Sequence, residues 1–362
     1  MAEYNAKWVD AMDRRNFGKF LAAVAGAAAT GDVHAGTVGP SRRQRPLIKP
    51  RALKPGDLVG LIAPSGVLND ATLQRGVSNL ESLGFRVKLG ANVRAALGGY
   101  AGTVAQRLDD LHGMFLDREV KAIWAARGGS GCSALLPGIQ YGLIRSHPKI
   151  LVGYSDITAL HLAIHRHAGL VTFHGPVAPS TPTDYAVTQM QAVLMWPRPE
   201  TEIQMSVENS KIAMERPEFA LRTFRHGIAE GRLIGGNLSV LSALVGTPYA
   251  AEIRSRLVFL EDVGEAPYRV DRMLTQLQQS RDLNTAAGIM LGVFQKSSVP
   301  AGEASLTLDE VLDGHFAAST VPAVYGYSFG HIQHQCTIPV GIKARLDTRS
   351  QTLTLLEPAV LA

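Results

Sequence analysis

Short apolar runs at 58–63, 85–89, 121–126 and 150–153 alternate with longer stretches whose apolar residues recur at helical spacing. A strand that is apolar on both faces must be covered on both, and intervening helices supply that cover in a parallel sheet. The pattern therefore predicts an α/β fold. The first run stops at Pro64-Ser65-Gly66. A helix is expected over 70–83, with Leu73, Val77, Leu80 and Leu83 on one face and Gly84 behind its end. After the loop Gly98-Gly99-Tyr100-Ala101-Gly102, Thr103 can cap a second helix running to 116, with Leu108, Leu111 and Phe115 facing inward. The strand over 121–126 leads into Arg127-Gly128-Gly129-Ser130-Gly131. The strand ending at Gly153 leads into Tyr154-Ser155-Asp156-Ile157 and a helix over 158–167. In open α/β sheets, ligands bind beside turns of this kind, at the carboxyl ends of the strands.

A chain of 362 residues exceeds what one hydrophobic core usually organises, so two domains are expected. The α/β domain occupies 56–180. Residues 181–225, with prolines at 182, 197, 199 and 217, read as a linker. Residues 226–362 form the second domain, with strand-like runs at 232–234, 256–260, 287–293, 337–342 and 351–356 and one clear helix over 268–280.

The longest apolar stretch, 20–29, is about half of what a bilayer span needs. It lies between Asp13-Arg14-Arg15-Asn16-Phe17-Gly18-Lys19 and the small-residue site Val33-His34-Ala35. That is the layout of a twin-arginine export signal over 1–35, with a periplasmic destination and no integral membrane segment once the signal is removed. Residues 36–55 follow as a basic tether, with six Lys or Arg, no acid, and Pro46, Pro50 and Pro55. From residue 56 onward 26 basic and 27 acidic side chains remain, so the formal net charge of +5 does not describe the folded body and no nucleic-acid partner is expected. The two cysteines, Cys132 and Cys336, are expected to be free thiols.

Ser155 is the first candidate for chemistry. A serine at the apex of a strand-to-helix turn projects its hydroxyl out of the sheet, and the N–H of Asp156 points the same way. Such a serine needs a base, and the base needs an orienting group. His331, after Tyr327-Ser328-Phe329-Gly330, is the histidine best placed at a turn. The acid comes from Glu261-Asp262-Val263-Gly264-Glu265, where spacing alone leaves Glu261, Asp262 and Glu265 open. Gly128 and Gly129 can aim backbone N–H groups at an oxyanion. The same loop also fits a dinucleotide fingerprint, Gly129-x-Gly131-x-x-Ala134, which would make the chain an oxidoreductase. His161 and His165 have the i, i+4 spacing of zinc ligands, but no third ligand accompanies them and no metal is expected.

Taken together, the blocks resemble the LD-carboxypeptidases, a serine peptidase family that includes the muramoyltetrapeptide carboxypeptidases and the microcin self-immunity peptidases. The resemblance runs from about 55 to 358. It is carried by Ala63-Pro64-Ser65-Gly66, Tyr100-Ala101-Gly102-Thr103, Ala126-Arg127-Gly128-Gly129, Gly153-Tyr154-Ser155-Asp156, Phe173-His174-Gly175-Pro176, Gly235-Gly236-Asn237-Leu238, Leu260-Glu261-Asp262 and Phe329-Gly330-His331. It implies a flavodoxin-like or Rossmann-like parallel-sheet domain with a smaller β-rich C-terminal domain. It also implies a cofactor-free hydrolase with nucleophile Ser155, base His331, acid Glu261, and oxyanion donors at Gly128, Gly129 and Asp156. Arg127 and Tyr154 are the substrate contacts expected beside them. The partner implied is a murein tetrapeptide or related peptide, with a homodimer as the oligomer to test for. Ser130 departs from the family pattern, which has an aromatic residue at that place. A muropeptide-binding envelope protein without turnover is the remaining alternative.

Overall fold

The computed structural model describes residues 46–299, 302 and 304–362. The expected export signal over 1–35 and residues 36–45 of the expected basic tether lie outside the described residues. Five strands, β1 (Leu58–Ile62), β2 (Arg86–Leu89), β3 (Val120–Ala125), β4 (Ile150–Gly153) and β5 (Thr172–His174), open the fold. They are followed by β6 (Thr201–Ile203), β7 (Arg222–Arg225), β8 (Ile228–Asn237), β9 (Arg256–Glu261), β10 (Gly288–Val293), β11 (Ala323–Gly330), β12 (Ile338–Val340), β13 (Lys343–Asp347) and β14 (Thr352–Leu355).

The first sheet has the order β12-β5-β4-β3-β1-β2, and all its pairings are parallel except β12 with β5. Its helices start where the sequence signals place them. Asn69 caps the helix Asp70–Ser82 through Thr72 N, and Thr103 with Gln106 forms a reciprocal capping box on the helix Val104–Leu116. Gly169, at φ +72°, ends the helix Thr158–Ala168.

The second sheet has the order β6-β14-β13-β8-β9-β10-β11-β7. Its centre, β8 to β11, is parallel, and antiparallel strands lie on either side. The segment 181–225 departs from the linker reading. It contains the helix Asp184–Leu194, capped by Thr183, the helix Val207–Ile212, and the strands β6 and β7 that form the two edges of this sheet. The prolines at 182, 197, 199 and 217 stand at the boundaries of those elements, where a missing N–H costs nothing. The apolar run expected as one strand over 337–342 is broken at Gly341, φ +95°. The half before it, β12, joins the first sheet, and β13 after it joins the second. One stretch of chain thus ties the sheets together. No described helix is long and apolar enough to cross a membrane.

Parallel strands of both sheets converge with their carboxyl ends on one crevice: β3 and β4 from the first, β9 and β11 from the second. Two histidines beneath it, His161 and His174, have no exposed surface. His161 donates its Nε2–H to the carbonyl of Gly153 over 2.8 Å. Burial depresses both imidazoles, to about 3 for His161 and about 4 for His174. The unfolded chain takes up these protons near the ordinary histidine value and the folded chain resists until lower pH. Each ring therefore contributes stability that is present above about pH 6.5 and lost as pH falls toward 4, at up to about 1.4 kcal/mol per pH unit. Urea midpoints measured from pH 7 to 4.5 should fall more steeply for wild type than for His161→Gln; equal slopes would show that His161 titrates normally in the folded state.

Candidate active site

β4 is fully buried, and its backbone stays extended through Tyr154 at φ −146° and ψ −172°. Ser155 then turns to φ +64°, left-handed backbone that a side-chain-bearing residue adopts at a cost of order 1–3 kcal/mol. The surrounding packing holds it there. A Cβ on Gly153 would meet Ile157 at 2.9 Å and Ala125 at 3.0 Å, so strand and following turn are locked together. A Cβ on Gly128 would stand 2.8 Å from Ser155 Cβ, so only glycine lets the loop after β3 lie against the elbow. The hydroxyl is left facing the second sheet.

There Ser155 Oγ donates to His331 Nε2 at 3.1 Å, and His331 Nδ1 donates to Glu261 Oε2 at 2.7 Å. Glu261 ends β9 and has no exposed surface, while the His331 side chain keeps 17% of its own. Burial pushes the Glu261 carboxyl up, but the hydrogen bond and charge of His331 outweigh it, so the group is held below the usual glutamate range and is an anion. That anion fixes the tautomer with the proton on Nδ1 and leaves Nε2 free to accept from serine. Gly330, at φ +112°, makes the approach possible, because a Cβ there would lie 3.0 Å from Glu261 Cβ and 3.1 Å from Oε2.

The choice among the three acids follows from their partners. Asp262 accepts from Ser239 N, Ser239 Oγ, Val263 N and Asn237 Nδ2 and anchors the helix Leu238–Ala243. Glu265 lies 3.6 Å from Arg269. Only Glu261 meets the histidine.

Two loops complete the first-sheet side. The Asp156 carboxylate accepts from Ser65 Oγ at 2.5 Å and from Cys132 N at 2.9 Å, which joins the elbow to both neighbouring turns. Buried Arg107 donates to the carbonyls of Pro64 and Gly131 and braces the same turns from behind. Neither Gly128 N–H nor Gly129 N–H has an acceptor among the described residues. Arg127 is exposed, donates through one nitrogen to Val67 O at 2.6 Å, and has no carboxylate within ion-pair distance among the described residues. Tyr154 packs edge-on against His331, with centroids 4.8 Å apart, and its phenol is pushed up to about 12 chiefly by burial. It is a wall behind the histidine. Cys132 and Cys336 are buried and free.

The LD-carboxypeptidase N-terminal domain matches residues 59–175, and the LD-carboxypeptidase C-terminal domain matches residues 230–346. The chain belongs to the LD-carboxypeptidase family. This makes it a hydrolase of the carboxypeptidase class. Among relatives, the probable murein peptide carboxypeptidase of Bacillus subtilis (strain 168) is 40% identical over 307 residues, 85% of this chain and 94% of its own. The murein tetrapeptide carboxypeptidase of Pseudomonas aeruginosa is 36% identical, covering 80% and 92%. Among solved structures, the muramoyltetrapeptide carboxypeptidase from Oxalobacter formigenes superposes with a TM-score of 0.69 at 28% identity, over 82% of this chain and 97% of that one. The MccF-like protein from Bacillus anthracis gives 0.75 at 28% identity, over 86% and 99%.

Nothing supports the oxidoreductase alternative. In this LD-carboxypeptidase the glycine loop is filled by its own chain: a Cβ on Gly131 would meet the Tyr100 ring at 2.7 Å, and the segment that follows, Cys132–Gly138, is a 3₁₀ turn rather than a helix aimed at a pyrophosphate. Among the described residues no group of three or more His, Cys, Asp or Glu is placed to hold a metal ion, and His161 spends its Nε2 on Gly153. Asp156 and His174 stand in blocks that carry the resemblance, but nothing in the sequence marks the bracing by the Asp156 carboxylate and Arg107 or the burial of His174 beneath the site.

Proposed function

We propose that the protein is a serine-type LD-carboxypeptidase that hydrolyses the amide between the L-centre of a diamino acid and the terminal D-Ala of murein tetrapeptides. The observation that carries the mechanism is the hydrogen-bonded line from Glu261 through His331 to Ser155. Ser155 Oγ attacks the scissile carbonyl while its proton passes to His331 Nε2, and the imidazolium is held by Glu261. The tetrahedral oxyanion is met by the N–H groups of the Gly128-Gly129 turn and of Asp156. Collapse expels D-Ala, whose amine takes the proton from Nε2. Water then attacks the acyl-serine with Nε2 again accepting a proton, and the shortened peptide leaves with Ser155 restored. The murein substrate is supported by the relatives of that name.

The assay that tests this is release of D-Ala from a muropeptide tetrapeptide, followed by mass detection. Ser155→Ala and His331→Ala should each lower turnover by several orders of magnitude with unchanged circular dichroism, and Glu261→Gln somewhat less. Near-normal release by Ser155→Ala would overturn the mechanism.

Recognition of the free terminal carboxylate is assigned to Arg127, whose remaining guanidinium donors are unspent beside the oxyanion turn. Wild type should strongly prefer the free acid over the C-terminal amide. Arg127→Lys keeps the charge but loses the planar fork, and should erode that preference. An equal preference in both proteins would assign Arg127 to bracing Val67.

Export to the periplasm rests on the sequence over 1–35 alone. Replacing Arg14 and Arg15 by Lys should retain the precursor inside the cell by fractionation, and unaltered partition would refute the twin-arginine reading.

A further inference from the structure

A second histidine lies directly behind the line of residues just described. His174 ends β5, opposite Gly153 of β4 and Ile338 of β12, and has no exposed surface. Its ring meets Phe259 at 5.5 Å and Phe329 at 6.4 Å between centroids, both near edge-on. Phe259 stands two residues before Glu261 on β9 and so shares its face of that strand, and Phe329 is the last side chain of β11 before the turn at Gly330 that carries His331. The imidazole therefore occupies the layer immediately beneath the carboxylate and its histidine, with Tyr154 at 6.1 Å closing the side.

Both ring nitrogens of His174 lack a hydrogen-bond partner among the described residues, and so does the second oxygen of Glu261, Oε1. A buried carboxylate with one oxygen unpaired and a buried imidazole with two nitrogens unpaired are each costly; placed in adjacent layers, they are complementary. Burial keeps the ring neutral, with its value at about 4, so at working pH it holds one N–H donor and one acceptor.

We infer that His174 is a positioning residue that gives Glu261 Oε1 its second hydrogen bond, directly on a small rotation of the ring or across one bridging water. The donor restrains the carboxylate's rotation, so that Oε2 stays aimed at His331 Nδ1, and it favours the anion over the protonated acid. This rests on the Ser155, His331, Glu261 reading above. The groups that face Glu261 from the elements around it are His331 from the end of β11, His174 from β5, Tyr154 from the elbow, Asp262 from its own strand and Asn237 from β8. Of these, His331 already serves Oε2, and the Asn237 amide, which helps hold the Glu261 carboxyl down, has Asp262 Oδ1 and not Oε1 within hydrogen-bond distance.

The test uses D-Ala release by the full-length protein and compares His174→Phe, which fills the space without a donor, with His174→Gln, which keeps an N–H but cannot become cationic. His174→Phe should lower kcat about 10- to 100-fold with little change in KM. It should also move the acid limb of the kcat/KM profile upward by about one pH unit, because a Glu261 carboxylate without its second donor is more basic and stabilises the His331 imidazolium more strongly. His174→Gln should recover most of kcat and return the acid limb to its wild-type position. If the two variants have the same acid limb as wild type, or lose activity equally without a shift, the inference is overturned. Should His174→Phe not fold, nitrogen-15 spectra of labelled histidines decide: a neutral His174 ring with one hydrogen-bonded N–H should change its shift in Glu261→Gln, and an unmoved resonance would refute the contact. Loss of D-Ala release from wild type itself, or its persistence in Ser155→Ala, would instead count against the underlying mechanism.

Discussion

A carboxylate without exposed surface is tolerated only where its charge is met, and Glu261 meets that requirement through a histidine that belongs to the next strand but one. The pairing dictates the rest of the site. His331 must reach back across Gly330 to bond Glu261, and it must also reach forward to a serine carried by the other sheet. The 2.7 Å bond to Glu261 lies within the second sheet's side, and the 3.1 Å bond to Ser155 requires the two sheets to meet closely at this point. The fold supports that approach elsewhere: Asn237 N donates to Thr158 Oγ1 at 2.9 Å, and the chain passes from one sheet to the other between β12 and β13. Gly236 lies against Thr158, where a Cβ would come within 2.5 Å of the hydroxyl oxygen. Close backbone approach at the seam is what lets short polar contacts form there at all.

The same economy governs the serine side. Left-handed backbone at Ser155 is strained in isolation, and the close packing that glycine permits at 128 and 153 surrounds it. Asp156, the next residue, contributes twice. Its N–H is the oxyanion donor proposed above, and its carboxylate ties down Ser65 and the turn at Cys132. Arg107 satisfies two carbonyls of those turns from the buried side. Preorganised donors of this kind are effective because they need not rearrange when charge develops. The histidine layer below, with His161 on the Gly153 carbonyl and His174 beneath Glu261, extends polar support into an otherwise apolar core.

Much of this was legible from the chain alone, because periodicity and capping are local. Apolar runs placed β1 to β4, Thr103 marks a helix start, and the turns after β3 and β4 identified the glycine loop and Ser155 individually. Long-range pairing is a different matter. Local spacing left Glu261, Asp262 and Glu265 open and only the family resemblance pointed to Glu261; the fold separates them by giving Asp262 four donors and Glu265 an arginine. It also decides that the run over 337–342 serves two sheets, and that 181–225 supplies both edges of the second one. Contacts such as His331 with Ser155, 176 positions apart, or His331 with Glu261, 70 apart, carry no local signature. The residue types needed for chemistry were thus determined by the sequence and visible in it, whereas their partners were decided only when the two sheets closed on each other, because a hydrogen bond depends on where two atoms meet in space and not on where they stand in the chain.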